Sequence, residues 1–167
     1  ISAEFNFQGE NWQWGSYKAE TIIAQGNFEE GVLNLLPVQV QSGQSLATLS
    51  GSISEQGPSG QLRLKNVPVA LIREVLRFPS SVGYGGFVDA TADFYGSLSN
   101  PQARGAISVV DASLNRTPLE SIEGSFSYNN ARLNVFSQSF LTKESEPLTI
   151  TAKIPYKLPF AEVEPEN

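Results

Sequence analysis

Side chains able to do acid–base or nucleophilic chemistry are scarce in this sequence. It contains no histidine and no cysteine, which excludes a Ser-His-Asp triad, a cysteine nucleophile, disulfides and the usual zinc sites. Asp89 and Asp93 share one face of a predicted strand, but four residues of strand separate them by roughly 13 Å. That separation is wide for the two carboxylates of a glycosidase. The pair is therefore interpreted as part of a solvated face.

Three other short motifs invite a chemical interpretation. The stretch GYGG at 83–86 lacks the Lys-Ser/Thr of a phosphate-binding loop and is interpreted as a connection. The stretch NRT at 115–117 matches a glycosylation acceptor, but Pro118 follows it at once. Trp12 and Trp14 point to the same face of a strand, where packing is the favoured role; a carbohydrate-binding or adhesive β module using both stays as an alternative. The sequence thus predicts no enzyme, no metal site and no cofactor.

Composition and charge limit the class of protein and of partner. The 167 residues are 40% hydrophobic and 17% charged, with 11 Lys and Arg against 17 Asp and Glu, for a net charge of -6. An acidic chain without a basic cluster predicts no nucleic-acid partner, because such binding depends on neutralising phosphates. No stretch approaches the ~18 apolar residues of a membrane-spanning helix. The chain begins at Ile1 and ends in an acidic stretch, so we expect a segment of something longer, with its anchor elsewhere.

Strict alternation of apolar and polar residues is the dominant local pattern, and it predicts half-buried strands. In each alternating stretch, Val, Leu, Ile, Phe, Ala and Gly share one face while Ser, Thr, Asp, Lys and Arg share the other. The pattern predicts roughly ten to twelve strands, far above the average strand content. Its clearest examples cover 47–54, 61–65, 88–98, 122–128 and 148–154.

The phrase Gly-Ser-apolar-Ser recurs at 51–54, 96–99 and 124–127. Each glycine lies on the apolar face, two residues before an inward Ile, Leu or Phe. Glycine within a strand usually marks a bend, a bulge or a close approach of backbone. A turn follows each phrase, and a new strand is predicted to begin near 61, 106 and 132. The repeating unit is therefore a bent strand, a turn and a return strand.

One segment, 69–78, breaks the alternation and predicts a short amphipathic helix. Asn66 and Pro68 supply a start, and Pro79 forces a stop. Two roles stay open for this helix: packing on the sheet, or covering an apolar opening. Its apolar residues recur at helical spacing and are Leu71, Ile72, Val75 and Leu76.

Several stretches together resemble the TamB family of translocation and assembly proteins, particularly its cyanobacterial-type members and their chloroplast inner-envelope relatives. The resemblance covers almost the whole chain, and it depends on the order of motifs made of turn residues and apolar alternation. These motifs are WxWGxY at 12–17, GVLxLxP at 31–37, the proline-bounded helix, NPQARGAIS at 100–108, LNRTP at 114–118 and IPYKLPF at 154–160.

The resemblance implies an all-β fold: an elongated, curled antiparallel sheet, the β-taco or repeating β-groove, with one short amphipathic helix. Residues 1–160 are expected to form a single groove segment, followed by an acidic tail at 161–167. Alternation alone does not distinguish this groove from a β-sandwich, which is the alternative fold.

The resemblance also implies a function. TamB-like proteins are anchored in the inner membrane and cross the periplasm toward an outer-membrane partner of the Omp85 type. The expected function is phospholipid transport along an apolar groove, in the periplasm, with the anchor and the Omp85-binding region outside this segment. The alternative function is a scaffold or chaperone for outer-membrane protein insertion or preprotein translocation.

Residues on the inward faces of the alternating strands are expected to line the groove and contact phospholipid acyl chains. They are Leu49, Ile53, Leu62, Leu64, Val88, Phe94, Leu98, Ile107, Val109, Ile122, Phe126, Leu133, Val135, Ile150 and Ile154.

Overall fold

A computed structural model describes residues 2–14, 17–76, 83–119, 121–140, 146–158 and 161–165. It contains eleven strands and one helix in the following chain order. The strands before the helix are β1 (Ser2–Trp14), β2 (Tyr17–Glu29), β3 (Val32–Ser42), β4 (Ser45–Ser54) and β5 (Gly57–Pro68), and the helix is α1 (Val69–Leu76). The later strands are β6 (Tyr84–Gly96), β7 (Pro101–Leu114), β8 (Thr117–Pro118), β9 (Ser121–Asn129), β10 (Arg132–Phe140) and β11 (Leu148–Pro155).

All strands belong to one antiparallel sheet, in which neighbours in the chain are neighbours in the sheet. The single departure is the two-residue β8, which pairs beside β7 and leaves β9 to pair with β7 directly. Strands β1 and β11 form the two edges, and no pairing joins them within the described part of the chain. The predicted curled, unclosed all-β sheet with one short helix is therefore confirmed.

The accessible surface shows that no second layer covers this sheet. The chain exposes 11283 Å², whereas a compact monomer of its 18.1 kDa mass exposes about 8,100 Å². Among the described residues, no large side chain is fully buried. A β-sandwich hides the inner faces of its two sheets against each other, so the alternative fold does not describe this chain.

Register divides the sheet into an apolar face and a polar face, because directly paired residues of antiparallel strands point to the same side. One row of the apolar face crosses the sheet from β3 to β11 as Val38, Leu49, Leu62, Ala92, Gly105, Phe126, Val135 and Ala152. The neighbouring row of the polar face is Gln39, Thr48, Arg63, Thr91, Ala106, Ser125, Phe136 and Thr151.

Bulges in alternate strands preserve these faces. An extra residue lies in β3 at 36–37, in β5 at 65–66 and in β7 at 111–112. Asn66 and Asp111, within the last two bulges, have positive φ values of 52° and 51°. Each bulge bends its strand and increases the local twist, so the three together contribute to the curl.

Two of the predicted return strands begin earlier than expected. Strand β5 starts at Gly57 and β7 at Pro101, because the connections that precede them are short. In the first connection, the Gln56 N–H donates to the Ser54 hydroxyl at 3.2 Å. A proline is tolerated at the first position of a strand, which explains why the second begins at Pro101.

Leu98 is the one predicted groove residue that lies off the strands. Strand β6 ends at Gly96, whose φ of 95° turns the chain out of the strand. The Asn100 N–H then donates to the Ser97 hydroxyl at 3.0 Å and closes the connection. Leu98 is 56% exposed within it, so the prediction that it continues the apolar strand face is wrong.

The helix begins at Val69 as predicted and is described as far as Leu76. The last two residues of the predicted helix, 77–78, lie outside the described residues.

Glycines of adjacent strands let the backbones approach closely on the apolar face. Gly51, the first glycine of the repeated phrase, pairs directly with Gly60. A β-carbon added at Gly60 would lie 2.2 Å from the Ser50 carbonyl oxygen and 2.5 Å from Cζ of Phe94. Because β-carbons crowd on the inside of a bend, this arrangement permits β4 and β5 to curl toward the apolar face.

Gly60→Ala should therefore lower the free energy of unfolding by about 2 kcal/mol, as overpacking does. Gly43→Ala is the matched control: its site has a φ of +57° and open space around it, so the loss should be about 1 kcal/mol from backbone strain alone. Urea unfolding of both variants measures the difference. Equal losses would show that the close approach at Gly60 does not constrain the sheet.

Candidate functional site: the apolar face of the sheet

The structure brings the predicted groove residues together on one surface. Leu98 excepted, every one of them lies on the apolar face, connected to the others through direct cross-strand pairs. The face also continues over β1, β2 and β3, which contribute apolar residues beyond those predicted from the sequence. These are Phe5, Phe7, Ile22, Phe28, Leu33, Leu35, Val38 and Val40.

A bulge explains why part of this surface escaped the sequence analysis. In β3 the apolar residues occupy odd positions up to Leu35 and even positions from Val38, because the bulge at 36–37 adds one residue. The alternation of Phe5 and Phe7 was available as a signal for β1. In β2, the run of apolar residues at 22–24 conceals which of them face inward.

Aromatic rings on the apolar face lie over glycines of the adjacent strand. A β-carbon added at Gly105 would lie 2.8 Å from Cε1 of Phe126, and one added at Gly26 would lie 2.6 Å from Cε1 of Phe5. Phe94 covers Gly60 in the same way. Each glycine thus leaves room for an aromatic ring, which a larger residue at that position would displace. The ring in turn covers the backbone of the glycine, which has no side chain of its own.

Exposure changes along the sheet in a regular way. In its middle, Val88 of β6 and Val109 of β7 are only 3% and 8% exposed. Toward the two edges the apolar face is open: Trp12 of β1 is 52% exposed and Ile150 of β11 is 48% exposed. The face is therefore covered over its middle strands and accessible on either side of them.

Helix α1 provides the cover at one end of the middle strands. Its Val69 and Ile72, together with Leu119, pack against a buried cluster of Val88, Val109 and Ala112. The sequence left two roles open for this helix, packing on the sheet and covering an apolar opening. The helix combines them, because it packs on the apolar face of the sheet. The side chains of Val75 and Leu76, which were predicted to share this contact, lie outside the described side chains.

The chain after β11 covers the other end of the same strands. The Tyr156 N–H donates to the Ala131 carbonyl at 2.8 Å, and the Leu158 N–H to the Tyr128 hydroxyl at 3.4 Å. Farther along, the Glu162 N–H donates to the Ser99 carbonyl at 2.9 Å. Glu162 and Val163, which belong to the predicted acidic tail, thus contact the connection between β6 and β7. We call residues 156–158 and 161–165 the C-terminal strap.

The carboxylates considered for catalysis lie on the polar face and bond to neighbouring strands. Asp89 accepts hydrogen bonds from the Lys65 ammonium and, at 2.7 Å, from the backbone N–H of Asn66 in the β5 bulge. Asp93 accepts one from the Gln61 amide at 3.0 Å. The bond from Lys65, followed by that from Asn66, lowers the pKa of Asp89 below its ordinary value of 3.8. Asp89 thus stabilises the bulge in β5.

Among the residues that the structure describes, no three carboxylates are grouped to hold a metal ion. No helix within the described ranges is long and apolar enough to cross a membrane.

Asp89→Asn should lower the free energy of unfolding at neutral pH by about 1 kcal/mol, the net value of such hydrogen bonds. A carboxylate whose pKa is lowered by folding stabilises the fold above pH 3.8 and loses this effect as the pH falls through its folded pKa. The difference between wild type and variant should therefore shrink below about pH 4. Chemical unfolding at a series of pH values measures it.

Asp93→Asn is the control on the same strand face. It should lower the free energy of unfolding by less, because the Asp93 carboxylate accepts no hydrogen bond from a backbone N–H in a bulge. If the free energy of unfolding of wild type exceeds that of Asp89→Asn by the same amount at acidic and at neutral pH, the Asp89 charge does not have this role.

Comparison with known proteins yields distant relatives. No known family signature matches the chain, and no solved structure matches it. It is 26% identical over 154 residues to "Protein TIC236, chloroplastic" of Arabidopsis thaliana, covering 83% of this chain and 7% of that protein. It is 25% identical over 168 residues to "Protein SUBSTANDARD STARCH GRAIN 4, chloroplastic" of Oryza sativa subsp. japonica, covering 92% of this chain and 8% of that protein.

The chain thus spans less than a tenth of the length of either relative and is distantly related to both. This relationship agrees with the part of the sequence resemblance that concerns chloroplast proteins.

Proposed function

We propose that this chain is one segment of a TamB-related bridge and that its apolar face carries phospholipid acyl chains between two membranes. The observation that carries the proposal is the continuous apolar face, which crosses every long strand and stays open on both sides of the covered middle. An exposed apolar surface of this extent is typical of a binding surface.

An acyl chain is the ligand that such a surface fits best. Each methylene transferred from water to an apolar surface contributes about 0.8 kcal/mol and needs no directional partner. The apolar face offers Phe7, Trp12, Leu148 and Ile150, which are between 41% and 53% exposed, and the charged residues of these strands lie mainly on the polar face. Movement along such a surface involves no bond breaking, so the proposal includes no catalytic residue and no cofactor.

The location and the partners in this proposal come from the sequence resemblance, and the two chloroplastic relatives support its assignment to a TamB-related group. The segment lies in the periplasm, tethered to the inner membrane by an anchor in another part of the protein. An Omp85-type partner binds through regions outside this segment. Nucleic acid is not among the partners.

The scaffold function remains the second candidate because β1 and β11 are unpaired edges within the described part of the chain. An unpaired edge offers a row of N–H and C=O groups to which an extended client strand can add by β-augmentation. In that case the ligand is a polypeptide held mainly by backbone hydrogen bonds at an edge, and changes in the middle of the apolar face affect it little.

Phe94→Glu tests the proposed movement of acyl chains along the apolar face, which we call the conduit. A carboxylate over Gly60 places a charge in the path of an acyl chain, and removing a charge from water costs several kcal/mol unless it is paired. Because the Phe94 side chain is only half-buried, a carboxylate in its place can stay hydrated and the sheet should remain folded. Native mass spectrometry should show much less co-purified phospholipid, while circular dichroism retains the strand signal.

Tyr95→Glu is the matched control, since Tyr95 is the next residue of β6 and is 40% exposed on the polar face. This variant should keep its phospholipid. Normal phospholipid in folded Phe94→Glu would contradict the conduit, and bound peptide in place of phospholipid in wild type would favour the scaffold.

A further inference from the structure

Two motifs of the sequence that have no part in the proposed conduit meet at the tip of the hairpin that joins β7 to β8. Asn115 of the NRT motif donates its backbone N–H to the carbonyl of Gly83, in the GYGG motif, at 2.7 Å. In return, the Gly83 N–H donates to the Asn115 side-chain oxygen at 3.0 Å. A cleft of about 490 Å³ lies at this contact, and its lining residues are Gly83, Gly85, Ser113, Asn115 and Arg116.

We propose that this cleft binds the phosphate of a phospholipid headgroup at the polar face of the sheet. The GYGG motif lacks the cation and the hydroxyl of a phosphate-binding loop, and the β7–β8 hairpin supplies both, as Arg116 and Ser113. The site lies on the opposite side of the sheet from the acyl-chain path, so it does not depend on the proposed function.

The side chains that line the cleft provide hydrogen-bond donors for an anion. Arg116 is exposed, and within the described part of the chain its guanidinium takes part in no ion pair. The paired N–H groups of a guanidinium match the geometry of a phosphate. Asn115 accepts the Gly83 N–H through its side-chain oxygen, which leaves its Nδ2 group as a donor. The described lining residues include no carboxylate, which would repel an anion.

Arg116 has a backbone conformation that favours glycine. Asn115 and Arg116 form a two-residue turn between the paired residues Leu114 and Thr117, and their φ values are 49° and 71°. A type I′ hairpin turn requires positive φ at both positions, and glycine is the usual residue at the second. Residues kept in such conformations cluster at functional sites, so the arginine at this position points to a role for its side chain.

The Ser113 hydroxyl faces the polar side of the sheet. Ala112 belongs to the buried cluster on the apolar face, so the next residue along the strand, Ser113, points to the polar face. Ser113 pairs directly with Gly85 of β6. A β-carbon added at Gly85 would collide with Ser113 Oγ, so the glycine leaves the space that the hydroxyl occupies.

An exposed apolar patch adjoins the cleft and favours a lipid over a soluble phosphate ester. Phe87 of β6 pairs directly with Val110 and with Pro68, and the side chains of Phe87 and Val110 are 38% and 50% exposed. Phe87 lies two residues after Gly85, so the patch is on the same face as the cleft and about 7 Å from it. A ligand that joins a phosphate to an apolar portion can contact both, and a phospholipid has this chemistry.

Amide chemical shifts of the isotopically labelled protein locate the ligand residue by residue. Dihexanoylphosphatidylglycerol is the lipid probe, and glycerophosphoglycerol is the soluble probe with the same phosphodiester and no acyl chains. Both probes should shift the amide signals of Gly83, Ser113 and Asn115. The lipid should bind the cleft more tightly, because its acyl chains also contact the apolar patch.

Arg116→Gln should weaken the binding of both probes at the cleft by at least about tenfold, because hydrogen bonds to a charged group are lost. Arg116→Gly removes the same charge and relieves the backbone, since glycine tolerates a φ of 71°. Arg104→Gln is the matched control, because it removes an exposed arginine from the polar face of the same strand, and it should leave binding unchanged. Val110→Thr should weaken the lipid alone, by about fourfold, the factor for one methyl group.

Three results would overturn the proposal. Equal weakening by Arg116→Gln and Arg104→Gln would show a general attraction between charges. Equal affinities of the two probes, unaffected by Val110→Thr, would assign the cleft to a soluble phosphate ester and refute the lipid headgroup. Lipid-induced shifts confined to the apolar face, at Leu49 and Leu62, would refute the cleft while the proposed function would stand. Shifts at the cleft without shifts on the apolar face would support the cleft and count against the conduit.

Discussion

Register is the constraint on which this sheet depends, since a shift of one residue in any strand exchanges its apolar and polar faces. The three bulges show how closely sequence and pairing agree. Where β3 gains a residue at 36–37, its apolar positions change from odd to even at the same point. In β5 the bulge is stabilised from outside, by the Asp89 carboxylate that accepts the Asn66 N–H. The apolar face is therefore continuous although its strands are irregular.

A sheet with one uncovered face has little core, so its stability has a different origin from that of a sandwich. Each strand is stabilised by cross-strand pairs with its neighbours, and the buried cluster under α1 is a local addition. Neighbouring strands are also neighbours in the chain, β8 excepted. Such a sheet approximates a one-dimensional array in which each unit stabilises the next. Further units added to the sheet would be stabilised by their neighbours in the same way.

Much of this architecture is predictable from the sequence because its cause is local. Alternation determines which residues share a face, so the predicted groove residues on the strands lie together. Leu98 is the exception, because the turn at Gly96 depends on a backbone torsion that alternation does not report. The C-terminal strap has no local signal at all, since its position depends on hydrogen bonds to Ala131 and Ser99, residues distant in the chain. The cover that the C-terminal strap adds over the middle strands therefore becomes visible only in three dimensions.

An open apolar face exposes the chain to self-association, and its charge distribution opposes that outcome. The net charge of -6 makes two copies repel each other. Edge strand β1 carries Glu4 and Glu10 opposite Asn27 and Thr21 of β2, which places both carboxylates on the polar face. Charged side chains on an edge strand discourage pairing with another sheet. Repulsion of this kind acts on copies of the chain and leaves a neutral acyl chain unaffected. Under the proposed function, the chain is thus protected against self-association while its apolar face remains available to an acyl chain.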